Sequence, residues 1–352
     1  MASTLRDIAR KTRLSVSSVS NILSGNDPRY SDVTRRRVLK AARDLDYHPH
    51  RAAQMMQGRR SSVIGLLLPD MSYSYFPEII HGIEEAADGA GYQLLLCQTH
   101  YKSAEEGRKI SLLREHRVDG LVVFPIPFQQ DKELYTRLYR SKLPVVTVDS
   151  RVDGVAFDFV GTNDYKGAYM AVTHLIARGH RRIVCLAFGD DSQIRQARWR
   201  GYYDALGDVG ITVDEALVIP GPWQLDAPAE ELLAIFARRD RPSAIFAMSD
   251  LFGVWAYFRL RETGYAIPQD VALVGFGGLH EGKWLDTPLT TVTQKLDRMG
   301  RQAVELLLQR MRNTAAPCQQ VLLDPELTIR ASCGALPSAR SVLTLNTPPA
   351  SP

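Results

Sequence analysis

Between residues 63 and 275, short apolar runs alternate with amphipathic stretches of helical length, and this alternation narrows the possible folds more than any other feature. Residues 63–68, 92–97, 121–124 and 145–148 are strand-like, and 77–90, 104–116 and 131–141 between them carry a helical pattern. The alternation resumes with 183–187, 244–247 and 272–275, again separated by helical stretches. Strand and helix taking turns at this spacing predict parallel sheets covered by helices on both faces. A body of roughly 270 residues is too long for one sheet of ordinary size, so two are expected.

A different pattern precedes that body. Thr4 is placed to cap a first helix, with Leu5, Ile8 and Ala9 on one face, and Ser15 to cap a second, with Val19, Ile22 and Leu23 turned back toward the first. Ala9 is small enough to let the two cross closely. The outward side of the second helix carries Val16, Ser17, Ser20 and Asn21: a methyl surface, hydroxyls and an amide, as needed to read base edges in a major groove. A third helix, capped near Ser31, turns Val38, Ala41, Ala42 and Leu45 inward and Arg35, Arg36, Arg37 and Lys40 outward. The first 60 residues hold 13 Lys or Arg against 5 Asp or Glu, a net of +8, whereas the whole chain is +4. The remainder is therefore −4, and a basic head on a mildly acidic body is the electrostatic footprint of duplex binding. The arginine face suits phosphates, which set affinity and salt dependence but carry no sequence information.

Several ordered segments resemble the lactose repressor/galactose repressor (LacI/GalR) family of bacterial transcription regulators. They are Thr-Leu-x-Asp-Ile-Ala at 4–9, Ser-x-Ser-Ser-Val-Ser at 15–20, Tyr-x-Pro-x-Arg-Ala-Ala at 47–53, Arg-Val-Asp-Gly at 117–120, Gly-His-Arg-Arg-Ile at 179–183 and Pro-Leu-Thr-Thr-Val at 288–292. The likeness runs from Thr4 to about Gly334. It implies a small all-α helix-turn-helix head (1–47), a hinge (48–61) and an α/β two-lobed, periplasmic-binding-protein-like core (62–334) whose two parallel sheets are doubly wound. Lobe one is then expected over 62–160 plus 291–321, and lobe two over 161–290 plus 322–334. Residues 335–352 contain several prolines and no leucine heptads, and are expected to be a disordered tail without a tetramerising coiled coil.

The resemblance also assigns roles. The hinge is expected to become helical on the operator, where Met56 wedges between base pairs and Ala52 and Ala53 let two hinges approach. The candidate DNA contacts are Thr4, Ser15, Val16, Ser17, Ser20, Asn21, Arg51, Ala52, Ala53 and Met56. Ligands of open α/β sheets lie beyond the carboxyl ends of the strands, which puts Asp70–Phe76, 125–128, Asp149, 189–198, Trp223, Ser249, Asp250 and 277–280 around a cleft. Carried over position by position, the effector residues are Tyr75, Phe76, Asp149, Arg198 and Trp223, with Asp250 and Gly277 added and Asp250 expected to organise the cleft. Asp164 is a helix cap as much as a contact. The implied partners are a double-stranded operator, a second copy of the chain and a small effector: a sugar, sugar acid or sugar phosphate. The resemblance implies a repressor that binds a near-palindromic operator as a homodimer and is released by that effector; the alternatives are a corepressor-dependent regulator with the opposite response and, in a different class, a sugar receptor without DNA function.

Departures from the family pattern are informative. Gly275-Phe276-Gly277-Gly278 stands where many members have Gly-Phe-Asp-Asp, and losing that acid near Arg198 argues for an anionic ligand. Arg13 replaces a turn glycine, and Asn21 a common Arg or His, which implies a different base preference. Residues 295–312 form an amphipathic stretch whose apolar stripe suits the core. The four cysteines, 97, 185, 318 and 333, show no Cys-x-x-Cys or metal spacing, so neither a metal nor another cofactor is expected. No apolar leader precedes the first helix and no run reaches membrane-spanning length, which points to the bacterial cytoplasm and nucleoid. Nucleophile-elbow, zinc-protease, P-loop and dinucleotide motifs are absent from the sequence, which argues against an enzyme.

Overall fold

The computed structural model describes residues 3–23, 30–47, 60–72, 74–127, 130–222 and 226–334. They belong to two compact units that divide between Ser61 and Ser62. The first holds three helices, α1 (Leu5–Thr12), α2 (Val16–Leu23) and α3 (Asp32–Asp44). The backbone N–H and hydroxyl of Thr4 both donate to the Asp7 carboxylate, at 2.9 and 2.7 Å, and start α1. Arg13 ends it at φ 53°, in the left-handed region that glycine ordinarily fills at such a turn. The Ser18 N–H donates to Ser15 Oγ at 3.1 Å and starts α2. Ile8, Ala9, Val19, Ile22, Val38, Ala41 and Ala42 close one small core. Lys11 reaches Asp44 at 3.1 Å, and the Ser3 hydroxyl donates to the Leu45 carbonyl at 2.6 Å, which ties α1 and the chain before it to α3.

The second unit is two-lobed. Its first lobe opens with β1 (Val63–Leu68), α4 (Tyr75–Gly89), β2 (Gln93–Gln98), α5 (Ser103–Glu115), β3 (Gly120–Val123), α6 (Lys132–Arg140), β4 (Val145–Val148) and β5 (Asp158–Thr162). The chain crosses to the second lobe for α7 (Asp164–Ala177), β6 (Ile183–Ala187), α8 (Gln193–Gly207), β7 (Val218–Pro220), α9 (Glu230–Phe236) and β8 (Ala244–Ala247). There α10 (Asp250–Glu262), β9 (Ala272–Gly277), α11 (His280–Lys283) and β10 (Thr290–Thr293) follow. It returns for α12 (Leu296–Arg312) and β11 (Gln320–Leu323), then crosses a third time to β12 (Glu326–Thr328).

The first sheet runs β11-β5-β4-β3-β1-β2 and the second β12-β10-β9-β8-β6-β7. All pairs are parallel except β10–β12, an antiparallel strand at one edge. The inner strands β3, β4, β6 and β8 are buried along their whole length, as expected of parallel strands covered on both faces. Pro220 sits in edge strand β7, where a missing N–H breaks no inner ladder.

The lobe boundaries fall later than expected from the sequence. β5 continues to Thr162, Thr290–Thr293 pairs with β9 in the second sheet, and β11 holds the first sheet through Leu323. The boundary follows the strand ladder, which local composition does not display. The three crossings are tied together. The Asn163 N–H donates to the Leu323 carbonyl at 2.9 Å, and its side-chain amide donates to Asp324 at 3.0 Å. Lys166 meets Asp324 at 2.6 Å, and Lys295 meets Glu326 at 2.9 Å.

Each lobe also contains a helix pair in close contact at a glycine. A β-carbon on Gly300 of α12 would lie 2.8 Å from the Ile83 nitrogen of α4, and one on Gly201 of α8 would lie 2.5 Å from the Tyr165 carbonyl of α7. Leu296, Met299, Ala303, Leu306 and Leu307 of α12 are all buried, so the predicted stripe is core.

Candidate DNA-reading face and ligand cleft

On α2, packing of Val19 and Ile22 inward leaves Val16, Ser17 and Asn21 exposed and Ser20 half-buried. The Ser15, Ser17 and Ser18 hydroxyls cluster at its N-terminus, with Ser15 Oγ 2.9 Å from Ser17 Oγ and 2.8 Å from Ser18 Oγ. Short side chains at a helix N-terminus suit base edges and phosphate oxygens. Thr4 is exposed at the N-terminus of α1, and Arg36, Arg37 and Lys40 are exposed on α3. Arg51, Ala52, Ala53, Met56 and the rest of the hinge to residue 59 lie outside the described residues, as do Trp223 and the tail.

In the second unit, the carboxyl ends of the strands surround a cleft that is open at its mouth. Tyr75, Phe76, Asp149, Arg198 and Gly277 all line it, beside Phe124, Phe188, Phe276 and Gln294. Phe124 follows β3, Asp149 follows β4 and Phe188 follows β6, so strand termini from both lobes supply the wall.

Arg198 is 5 % exposed. Its Nε and Nη2 donate to Asp164 Oδ1 at 2.8 and 2.7 Å, its Nη1 donates to the Met248 carbonyl, and its guanidinium lies 3.6 Å from the centre of the Phe276 ring. Asp164 opens α7 directly after the first crossing, so this pair joins the cleft wall to the strand linking the lobes. Burial raises the Asp164 carboxyl, and the Arg198 charge opposes that rise.

Asp149 is held at φ 67° at the end of β4. Burial, then the nearby Asp164 charge, raises its pKa to about 6. One of its carboxylate oxygens is buried without a hydrogen-bond partner, and so are the Tyr75 hydroxyl and the Gln294 amide oxygen. Tyr75 stands close enough to Asp149 for each to perturb the other's ionisation, without a hydrogen bond of normal geometry. Among the described residues, two side-chain hydrogen bonds join the lobes across the cleft: the Ser74 hydroxyl donates to Glu281 at 2.5 Å, and the Gln193 amide donates to Asp153.

Asp250 does not line the cleft. It is fully buried, accepting from the Thr291 hydroxyl at 2.6 Å and the Leu279 N–H at 2.7 Å, and so holds the loop after β9 in place. The acid missing at Gly277 does not leave Arg198 uncompensated, because Asp164 supplies the carboxylate. This removes the sequence argument for an anionic ligand. Gln294, at the second crossing, was not legible as a site residue: a glutamine after a Thr-rich strand carries no local signal.

Residues 4–50 match the family described as bacterial regulatory proteins, lacI family, and residues 172–333 match the periplasmic binding protein-like domain. The HTH-type transcriptional repressor PurR of Photobacterium profundum is 31 % identical over 331 residues, covering 94 % of this chain and 98 % of PurR. The regulator CelR, solved as a cellobiose complex, superposes with a TM-score of 0.70 at 28 % identity, covering 94 % of this chain and 99 % of CelR. The lac repressor dimer, solved on operator with an anti-inducer, has the same fold, with a TM-score of 0.82 at 23 % identity over 95 % of this chain and all of that one.

Proposed function

Because this chain belongs to the LacI family of bacterial transcriptional regulators, we propose that it is a repressor that reads a near-palindromic operator as a homodimer and is released by a small molecule bound between its lobes. It is a regulator and not an enzyme, like the relatives named above. Among the described residues no helix is long and apolar enough to cross a membrane.

The observation that carries the ligand half of this reading is the Arg198–Asp164 pair, which makes one structure of the cleft wall and the first lobe crossing. A ligand that contacts Arg198, Asp149 and Tyr75 touches groups from both lobes at once, and so favours one degree of closure over another. The crossings concentrate that motion at residues 163, 294–295 and 324–326. A ligand shifts the balance between two closures only by its difference in affinity for them, and bound DNA must then change ligand affinity by the same factor. The CelR structure, with its sugar, supports a carbohydrate-sized occupant. The few side chains exposed on α2 make a small contact, and pairing two heads on one duplex multiplies their affinities through a high effective concentration.

A thermal-unfolding screen against sugars, sugar derivatives and nucleosides tests this. A cleft ligand at about 100 times its Kd stabilises the core by roughly 2.7 kcal/mol, a shift of several degrees. Arg198→Ala is expected to abolish that shift while retaining affinity for a DNA fragment selected by the protein from a random pool. A hit that stabilises Arg198→Ala as strongly as the wild type removes the cleft from the mechanism. The sign of the hit's effect on DNA affinity separates release from corepression.

A further inference from the structure

Resting on the reading that this cleft takes the effector, we infer that the ligand is an uncharged or cationic ring compound presenting O–H or N–H donors, and not a sugar acid, sugar phosphate or other anion. Arg198 is the sole cation among the described lining residues. Its charge is already balanced by Asp164, a third N–H goes to the Met248 carbonyl, and one face of its plane lies on Phe276. Of the five guanidinium N–H groups, two remain, enough to donate to a hydroxyl or ring nitrogen. An anion would have to share Arg198 with Asp164, both of them buried, and unbalanced charge is costly there.

The unmatched polar atoms point the same way. Gln294 Oε1 is a buried acceptor with no donor, and Asp149 Oδ1 has only the Tyr75 hydroxyl near it, in no hydrogen bond of normal geometry. Buried polar groups are almost always satisfied, so a ligand that completes the site brings donors. Asp190 adds a second carboxylate to the lining. With Arg198 and Asp164 cancelling, Asp149 and Asp190 leave a negative wall that attracts donors and cations and repels phosphate or carboxylate. Phe76, Phe124 and Phe188, largely buried, complete the lining with apolar rings that suit a ring, whether a sugar's C–H face or an aromatic plane.

Calorimetry on the full-length protein with matched pairs tests the inference: glucose against glucose 6-phosphate, galactose against galacturonate, adenosine against its 5′-monophosphate, and benzylamine against benzoate. In any pair that binds, the uncharged or amino member is expected to bind at least about ten-fold more tightly, a difference of about 1.4 kcal/mol. Asp149→Asn is expected to weaken that member by a similar factor. Asp164→Asn, which releases the charge of Arg198, is expected to narrow the preference or reverse it. A tighter anionic member in the wild type overturns the ligand class and leaves the cleft standing as the effector site. Failure of every member of every pair counts against both.

Discussion

Asp149 sits at the end of β4 in a backbone conformation few side chains adopt, with a carboxyl that burial has raised to about 6. Its unfolded value is near 3.8, so between these two values the folded protein binds a proton that the unfolded chain does not. Stability from this group is therefore fully present below about pH 4 and is lost as the pH rises through about 6. Asp149→Asn fixes the neutral form. The variant is expected to be more stable than the wild type at pH 7, with the gain shrinking toward pH 4, as read by urea unfolding at both values. A gain that ignores pH would show that the carboxyl does not titrate in this window. The residues that line the cleft were legible where a strand end supplied them, as with Asp149, or where a family position did, as with Arg198. Asp164 reads from the sequence as a cap as much as a contact because its partner lies 34 positions away, and a pairing at that distance leaves no mark on local sequence.

Elements were legible in proportion to how far their pattern was set by burial alone. β1, β4, β6 and β8 begin and end where the apolar runs do. β5 was missed because it opens on Asp158, a charge no strand pattern invites. Arg310 from α12 makes it acceptable, donating from Nε to Oδ2 at 2.7 Å and from Nη2 to Oδ1 at 3.0 Å. The left-handed turn at Arg13 shows the converse, since the helix-turn-helix forms although its customary glycine is absent. Helix packing gives a sharper test. At Gly201 the carbonyl of Tyr165 and the nitrogen of Tyr169 leave no room for a β-carbon, at 2.5 and 2.7 Å. Gly201→Ala is expected to force α7 and α8 apart and destabilise the core by about 1–3 kcal/mol. An unchanged urea midpoint would mean that the pair separates at no cost.

At the scale of the molecule, charge is divided between the two units, +8 over the first 60 residues in a chain of +4 overall. Binding of nonspecific duplex is expected to fall steeply with salt, by about 1,000-fold between 50 and 200 mM if six or so phosphates are neutralised. A shallow slope would assign most of the basic residues to solvent. The three crossings carry a different consequence, for the order in which the protein is made. The last helix of the head ends at Asp44, whereas the first lobe lacks its strand β11 until residue 320 has been added. At about 5–20 residues per second, the head emerges from the ribosome some tens of seconds before the first lobe can close. A message cut short in that interval yields a helix-turn-helix head without the cleft.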